Sequence, residues 1–307
     1  MTLTTVAICT YNARTHLETL LPAVAAQEID RPFEILVVDN NSTDGTSDFV
    51  RELGCRSPVP MRVVREPVQG IPYARNCAIE ESAGSEFLVF IDADEMPCPG
   101  WLRAAVDALD KEGAECAGGP IRVRLPGPRP RWLTDYLLLF LGALDHGDAP
   151  FWITDRKTPV WTGNVAYRRS LFASGLRFDH RYNRAGKGVG GGSDSVMFRH
   201  LVGAKVRMRY RPDMVIEHLI GPDKVRRRYF LQLNLTAGTK FGRFSEDGFG
   251  RTLLGVPPYM ALEALRHVTS ALGKVMTLHP EAMHQATRAA HMLGALNGCI
   301  QRWRQRA

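Results

Sequence analysis

The sequence predicts an α/β domain built on a mostly parallel central sheet, followed by a helical C-terminal region. Three observations carry this. Strand-like and helix-like stretches alternate four times in the first hundred residues, the pattern of a parallel sheet with right-handed crossovers. Phe87-Leu88-Val89-Phe90-Ile91 is an unbroken apolar run, as suits a strand buried on both faces. The 307 residues are 45% hydrophobic and 23% charged, enough for one large domain or a domain with an appendage.

Val6 to Thr10 reads as the first strand, and Leu17, Leu20, Leu21 and Val24 then recur at helical spacing. Phe33 to Val38 is a second buried strand, with turn chemistry at Thr43-Asp44-Gly45-Thr46 before a helix that runs to about Leu53. Met61 to Arg65 is a short third strand. Gly70-Ile71-Pro72 starts a helix with proline in its first turn, and Phe87 to Ile91 is the fourth strand. Beyond it the pattern loosens. A helix is expected over Pro99 to Lys111, a strand over Cys116 to Val123 broken by Gly118-Gly119-Pro120, and a helical piece over Trp132 to Leu144. Val160 to Tyr167 reads as a strand, and Ser193-Asp194 opens a helix. Lys205 to Tyr210 and Met214 to Glu217 are short strands, with His218 closing the second. From Pro222 onward the chain reads as helical, apart from a glycine-rich loop at Gly248-Phe249-Gly250. The expected division is a domain over 1–221, with halves at about 1–115 and 116–221, and a helical region over 222–307.

Lys plus Arg number 39 against 32 Asp plus Glu, a net charge of +7. That excess fits an anionic substrate or an anionic membrane surface and is too weak to indicate nucleic-acid binding. Six cysteines without a C-x-x-C pair point to a reducing compartment and no structural zinc. The N-terminal residues lack a basic, apolar leader pattern, and no apolar stretch approaches the ~18 residues of a spanning helix. The expected location is cytoplasmic, at most peripheral on the inner face of the membrane.

The fourth strand ends in Asp92-Ala93-Asp94-Glu95. In extended backbone Asp92 and Asp94 point to the same side, at a strand end where α/β sheets bind ligands. Two carboxylates projecting together repel each other unless a cation lies near. Hard oxygen ligands suit Mg²⁺ or Mn²⁺, which typically adds substrate phosphates to one or two carboxylates. The alternative is that these acids solubilise a turn before Pro97 and Pro99.

Further blocks accompany these acids in order: Thr10-Tyr11-Asn12, Val38 to Thr46, Ala74-Arg75-Asn76, Asp92-Ala93-Asp94, Thr162-Gly163-Asn164 and Gly192-Ser193-Asp194. Together they resemble the family 2 glycosyltransferases over about two hundred residues. The resemblance implies a Rossmann-like GT-A fold and inverting transfer of one sugar from a nucleoside-diphosphate sugar, a UDP-sugar foremost. It implies Thr10, Tyr11 and Asp39 at the donor's base and ribose, with Asn12 and Asn164 also in the donor site. Arg75 would contact the diphosphate or base, where a guanidinium fork suits the task. Asp92 would touch the ribose or a metal-bound water, Asp94 would ligate Mn²⁺ or Mg²⁺, and His218 would be a further ligand. Asp194 would be the catalytic base.

Two departures stand out. The family usually shows Glu-Asp where this chain has Ser193-Asp194, which leaves the acceptor class open. The Gln-x-x-Arg-Trp motif of processive synthases is missing, Val225 to Tyr229 being the nearest match, so one addition rather than polymerisation is expected. The acceptor would be a saccharide or a lipid-linked one, in surface polysaccharide or glycolipid assembly. Two other readings compete: a sugar-1-phosphate nucleotidyltransferase, which would want a glycine-rich basic loop that Thr10 to Arg14 does not supply, and a non-catalytic sugar-nucleotide-binding scaffold. Gly186 to Gly192, with five glycines in seven residues, reads as an active-site lid. The run Arg226-Arg227-Arg228 is read as a solvated face, with anionic lipid as the sharper alternative. Met260, Leu262, Leu265, Val268 and Leu272 form a helical stripe for core packing, or for membrane or homodimer contact.

Overall fold

The computed structural model describes residues 3–183, 189–245 and 252–305. In chain order the first unit begins with β1 (Thr4–Thr10), α1 (Arg14–Ala25), β2 (Phe33–Asp39), α2 (Thr46–Gly54), β3 (Met61–Arg65), α3 (Ile71–Glu81) and β4 (Phe87–Ile91). It continues through β5 (Glu95–Pro97), α4 (Trp101–Asp110), β6 (Cys116–Gly118) and β7 (Ile121–Arg124). After α5 (Asp135–Leu138) come β8 (Phe151–Ile153), β9 (Asn164–Arg168), α6 (Ser193–Gly203), β10 (Met208–Tyr210) and β11 (Ile216–Leu219). Three helices end the chain: α7 (Arg227–Phe244), α8 (Pro258–Met276) and α9 (Ala282–Arg304).

The chain forms two compact units. One comprises Met1–Arg124, Gly142–Gly186 and Ser193–Leu219; the other comprises Leu125–Leu141, Lys187–Gly192 and Ile220–Ala307. The first is an α/β unit around an eight-stranded sheet of order β3-β2-β1-β4-β9-β6-β10-β8. β3, β2, β1 and β4 run parallel, whereas β9 lies antiparallel to both its neighbours. All five residues of β4 are buried, as the unbroken apolar run requires of a central strand. A second sheet, β5-β11-β7, is small but decisive for the site.

The strand expected over Cys116 to Val123 divides between these two sheets. A Cβ on Gly119 would lie 2.2 Å from the carbonyl oxygen of Met214, so this glycine lets two backbones meet at the corner where the chain leaves one sheet for the other. The helix expected over Trp132 to Leu144 shrinks to α5 and one 3₁₀ turn over Leu139–Leu141. Val160 to Gly163 fall outside β9, and the three-residue strands β5 and β8 are additions to the sequence reading.

In the helical unit α7 and α9 pack backbone to backbone. A Cβ on Gly238 would meet the carbonyl oxygen of His291 at 1.9 Å, and those on Gly242, Gly294 and Gly298 would each meet a carbonyl oxygen of the facing helix at 2.1 Å. Glycine at all four positions brings the axes closer than side chains allow. No described helix is long and apolar enough to cross a membrane. On α8 the expected core stripe divides: Met260 is buried, but Leu262, Leu265 and Leu272 face outward. The reason is geometric, because Met260, Ala264 and Ala271 already cover the inner face.

Candidate active site

The carboxyl ends of β1, β2 and β4 lie side by side, with Thr10 paired in register with Asp39 and Ala7 with Phe90. The loops leaving the first two strands are stitched to each other. Asn12 takes a left-handed φ of 49°, which asparagine tolerates better than most residues. Its Oδ1 accepts from the Thr43 N–H at 2.8 Å, while its own N–H donates to Ser42 Oγ at 2.9 Å. The Asp39 carboxylate is buried and accepts from the Ser42 N–H at 2.8 Å and from the Ser47 hydroxyl. Thr10 is buried, and its hydroxyl finds no partner among the described residues. Tyr11 is exposed on the same rim. These four residues therefore gather at one mouth of the sheet, with Asn12 and Asp39 also holding the loops in shape.

Beyond β4 the chain turns sharply, the Glu95 N–H donating to the Asp92 carbonyl at 3.1 Å. Glu95 folds back beneath the turn, and its Oε2 accepts from the Asp92 N–H at 2.8 Å. Burial pushes the Glu95 carboxyl well above the usual carboxylate range, and the neighbouring charges of Asp92 and Asp94 add to the effect. The space for it comes from Gly163, where a Cβ would sit 2.4 Å from Glu95 Oε1. Sequence reasoning placed roles on the Thr162-Gly163-Asn164 block without seeing this contact, since its partner lies far away along the chain.

Asn164 stands differently from expectation. It is wholly buried, and its Oδ1 accepts from Trp101 Nε1 at 2.7 Å. Its Nδ2 donates to the carbonyls of Pro120 at 3.0 Å and Met214 at 2.7 Å. Both amide hydrogens and the oxygen are used internally, so its place is under the acidic turn, bracing α4 and the sheet corner, rather than against a donor.

Asp94 and His218 meet through the small sheet. β11 runs antiparallel to β5 with His218 opposite Glu95, and the Leu219 N–H donates to the Asp94 carbonyl at 2.8 Å. His218 Nε2 then lies 3.2 Å from Asp94 Oδ2. Among the described residues no three His, Cys, Asp or Glu side chains form a closed metal cage. One carboxylate and one imidazole nitrogen at a strand end nevertheless suit Mn²⁺ or Mg²⁺, whose remaining positions are commonly taken by waters and substrate phosphates. The donor set fits such an ion.

Arg75 links the remaining acids. It is buried on α3, with its guanidinium carbon 5.5 Å from the centre of the Phe178 ring. Its Nη2 donates to Asp92 Oδ1 at 3.2 Å and its Nη1 donates to Asp194 Oδ1. Burial alone lowers the pKa of an arginine, but Asp194 and Asp92 outweigh it and hold Arg75 above its usual value. Asp194 occupies the first turn of α6, where the helix dipole favours a carboxylate. The planar fork thus sets Asp194 beside Asp92. Asn76, one residue on, donates to the Phe178 carbonyl at 3.0 Å and accepts the Phe178 N–H at 2.8 Å, fixing the wall behind the arginine. Of the glycine-rich stretch expected as a lid, residues 186–188 lie outside the described residues, as does the loop at 248–250.

The family model described as glycosyl transferase family 2 matches residues 5–176. The succinoglycan biosynthesis protein ExoM of Rhizobium meliloti is 25% identical over 242 residues, 78% of this chain and 74% of that protein. Among solved structures, the mannosyltransferase PcManGT from Pyrobaculum calidifontis, in complex with GDP-Man and Mn²⁺, matches with a TM-score of 0.62 at 20% identity. That match covers 95% of this chain and 85% of the other. S. aureus TarS 1-349, in complex with UDP, matches with a TM-score of 0.56 at 16% identity over 100% of this chain and 92% of that one. The fold is GT-A. The chain belongs to glycosyl transferase family 2 and is a glycosyltransferase.

Proposed function

We propose that this glycosyltransferase moves one sugar, with inversion, from a nucleoside-diphosphate sugar to a hydroxyl of a saccharide or lipid-linked acceptor. The reading puts the donor, a UDP-sugar foremost, over residues about 1–115 and the acceptor over about 116–221. The observation that carries it is the Arg75 bridge, which holds Asp194 beside Asp92, next to the Asp94–His218 pair. In this reaction the acceptor oxygen attacks the anomeric carbon as the bond to the diphosphate oxygen breaks. The hydroxyl proton passes to Asp194, and the nucleoside diphosphate leaves with the bonding electrons. A single displacement of this kind inverts the anomeric configuration.

Each residue has a task in that step. Asp194 is the proton acceptor, held in position by Arg75 in the first turn of α6. The Thr10 hydroxyl, without a partner among the described residues, and the exposed Tyr11 ring offer a donor and a stacking surface to the nucleoside. Asp94 and His218 would hold Mn²⁺ or Mg²⁺, and a cation there supplies charge neutralisation for the departing diphosphate. The missing Gln-x-x-Arg-Trp motif supports one addition per acceptor. The similarity to a succinoglycan biosynthesis protein supports an acceptor in surface polysaccharide assembly.

The test compares nucleoside diphosphate release from UDP- and GDP-sugars by the wild type and by Asp194→Asn, with nucleotide affinity measured on both. Asparagine keeps the shape and cannot take the proton, so turnover should fall about 10²–10⁴-fold while affinity holds. Near-normal turnover of that variant would move the base elsewhere.

A further inference from the structure

The helical unit carries a surface that the transfer reaction leaves unused. Among the described residues, 15 of the 18 exposed large apolar side chains belong to this unit. Six of them, Tyr259, Leu262, Leu265, Leu272, Met276 and Leu278, lie along the outward side of α8 and just past its end, at 57% to 90% exposure. Residues 259, 262, 265, 272 and 276 recur at the three-to-four spacing of one helix face. The helix therefore presents an apolar stripe to the outside as well as to its own core. Beside it runs an open groove of about 510 Å³ between α7, α8 and α9, lined by Leu231, Leu235, Leu272 and Leu293 with Arg228 among them.

Charge says what covers this surface. The helical unit holds 16 Lys and Arg against 6 Asp and Glu, a net +10, whereas the α/β unit holds 23 against 26, a net −3. The whole positive excess of the protein is thus in the unit with the exposed leucines. Arg226, Arg227 and Arg228 are exposed where α7 begins, Arg266 projects from the outward side of α8, and Arg288 is exposed on α9. A second copy seated on the same face would bring two units of +10 together. A surface rich in anionic headgroups satisfies both features at once, taking the leucines at its acyl boundary and the arginines at its phosphates.

We propose that the outward face of α8 and its neighbouring groove dock this glycosyltransferase on an anionic lipid bilayer, in the interfacial plane and without spanning it. Attachment of this interfacial, partly electrostatic kind is reversible and depends on salt.

Co-sedimentation of the full chain with lipid vesicles tests this. The wild type should pellet with phosphatidylcholine vesicles containing about 30% phosphatidylglycerol and stay in solution with phosphatidylcholine alone. Binding should fall as salt rises from about 0.1 M to about 1 M and the Debye length shrinks from ~10 Å to ~3 Å. Leu262→Glu/Leu272→Glu should weaken partition at least tenfold, since each leucine is then too polar to enter the boundary. Arg226→Ala/Arg228→Ala should weaken it about 25-fold, roughly fivefold for each charge. This second variant keeps every leucine, so it tests the idea even if the first folds poorly. Trp152→Glu, in the other unit, should bind as the wild type does. Equal binding to neutral and anionic vesicles would overturn the proposal, and so would no binding to either. A wild-type dimer in solution that Leu262→Glu/Leu272→Glu converts to monomer, without vesicle binding, would assign the face to a second copy instead.

Discussion

Arg75 has five N–H donors and, in this fold, two carboxylate partners on different elements. Only a planar fork reaches both Asp92 and Asp194 at once; an ammonium is a point charge that would choose one. Arg75→Lys should therefore cost about 2 kcal/mol. That is less than the ~3–5 kcal/mol for breaking a fully buried pair, because Asp92 and Asp194 keep 40% and 32% of their side-chain surface exposed. Denaturant unfolding checks the figure. The kinetic consequence is larger, since displacement of a reacting group by about 1 Å can cost ~10²-fold. Turnover of Arg75→Lys should drop by that order with donor KM little changed, whereas loss of a direct diphosphate contact would raise KM. Steady-state kinetics on one variant thus separate a positioning arginine from a substrate-binding one.

Helices α7 and α9 show how a local rule reverses sign at the scale of elements. Glycine in a helix interior ordinarily costs about 1 kcal/mol relative to alanine, so Gly298→Ala should stabilise an isolated α9. Here a Cβ on Gly298 would meet the Thr239 carbonyl oxygen at 2.1 Å. That neighbour is backbone and cannot rotate away, and overpacking costs about 1–3 kcal/mol or more. The clash wins, and thermal unfolding of Gly298→Ala should show net destabilisation. The same helix sets a pH limit. Burial lowers the pKa of both His284 and His291, with the charge of Arg288 adding at His284. A folded pKa below the unfolded value near 6.5 means the unfolded chain binds more protons. The stability these histidines supply is present above that pH and is lost as pH falls through the folded values. Unfolding between pH 7 and pH 5 should show the decline, and His284→Gln/His291→Gln should flatten it. Elements also mark what was legible in the chain. β1, β2 and β4 could be read because each contains a long enough apolar run, and Asp92 and Asp94 because they end one. The division between β6 and β7 could not, since the carbonyls that crowd Gly119 come from Arg211 and Met214. Glu95 against Gly163 was hidden for the same reason. In α8 the period was plain, but periodicity shows which side chains share a face and not what covers it.

Across the whole molecule, the proposed reaction asks an α/β unit of net negative charge to hold an anionic donor. Asp92, Asp94 and Asp194 converge on the strand ends that would receive a diphosphate, and like charges there repel at short range. Arg75 offsets part of this but is already shared by two of the carboxylates. Donor affinity should therefore depend on a divalent cation at Asp94 and His218, which changes the sign of the local charge. Stability then reports binding, because a ligand that binds only the folded chain adds RT ln(1 + [L]/Kd), about 2.7 kcal/mol at a hundredfold excess over Kd. For a unit of about 200 residues, each kcal/mol raises Tm by about 2–4 °C, so a shift of about 5–10 °C is expected. UDP with Mn²⁺ should produce it, UDP with EDTA should not, and GDP with Mn²⁺ reports whether the base is discriminated. Asp94→Ala should fold, because the Asp94 side chain is 30% exposed and its backbone carbonyl, not its carboxylate, accepts from Leu219. That variant should lose the metal-dependent shift. If it instead kept the full shift with Mn²⁺, the cation would have to be held by other residues, and the pairing of Asp94 with His218 would be structural alone.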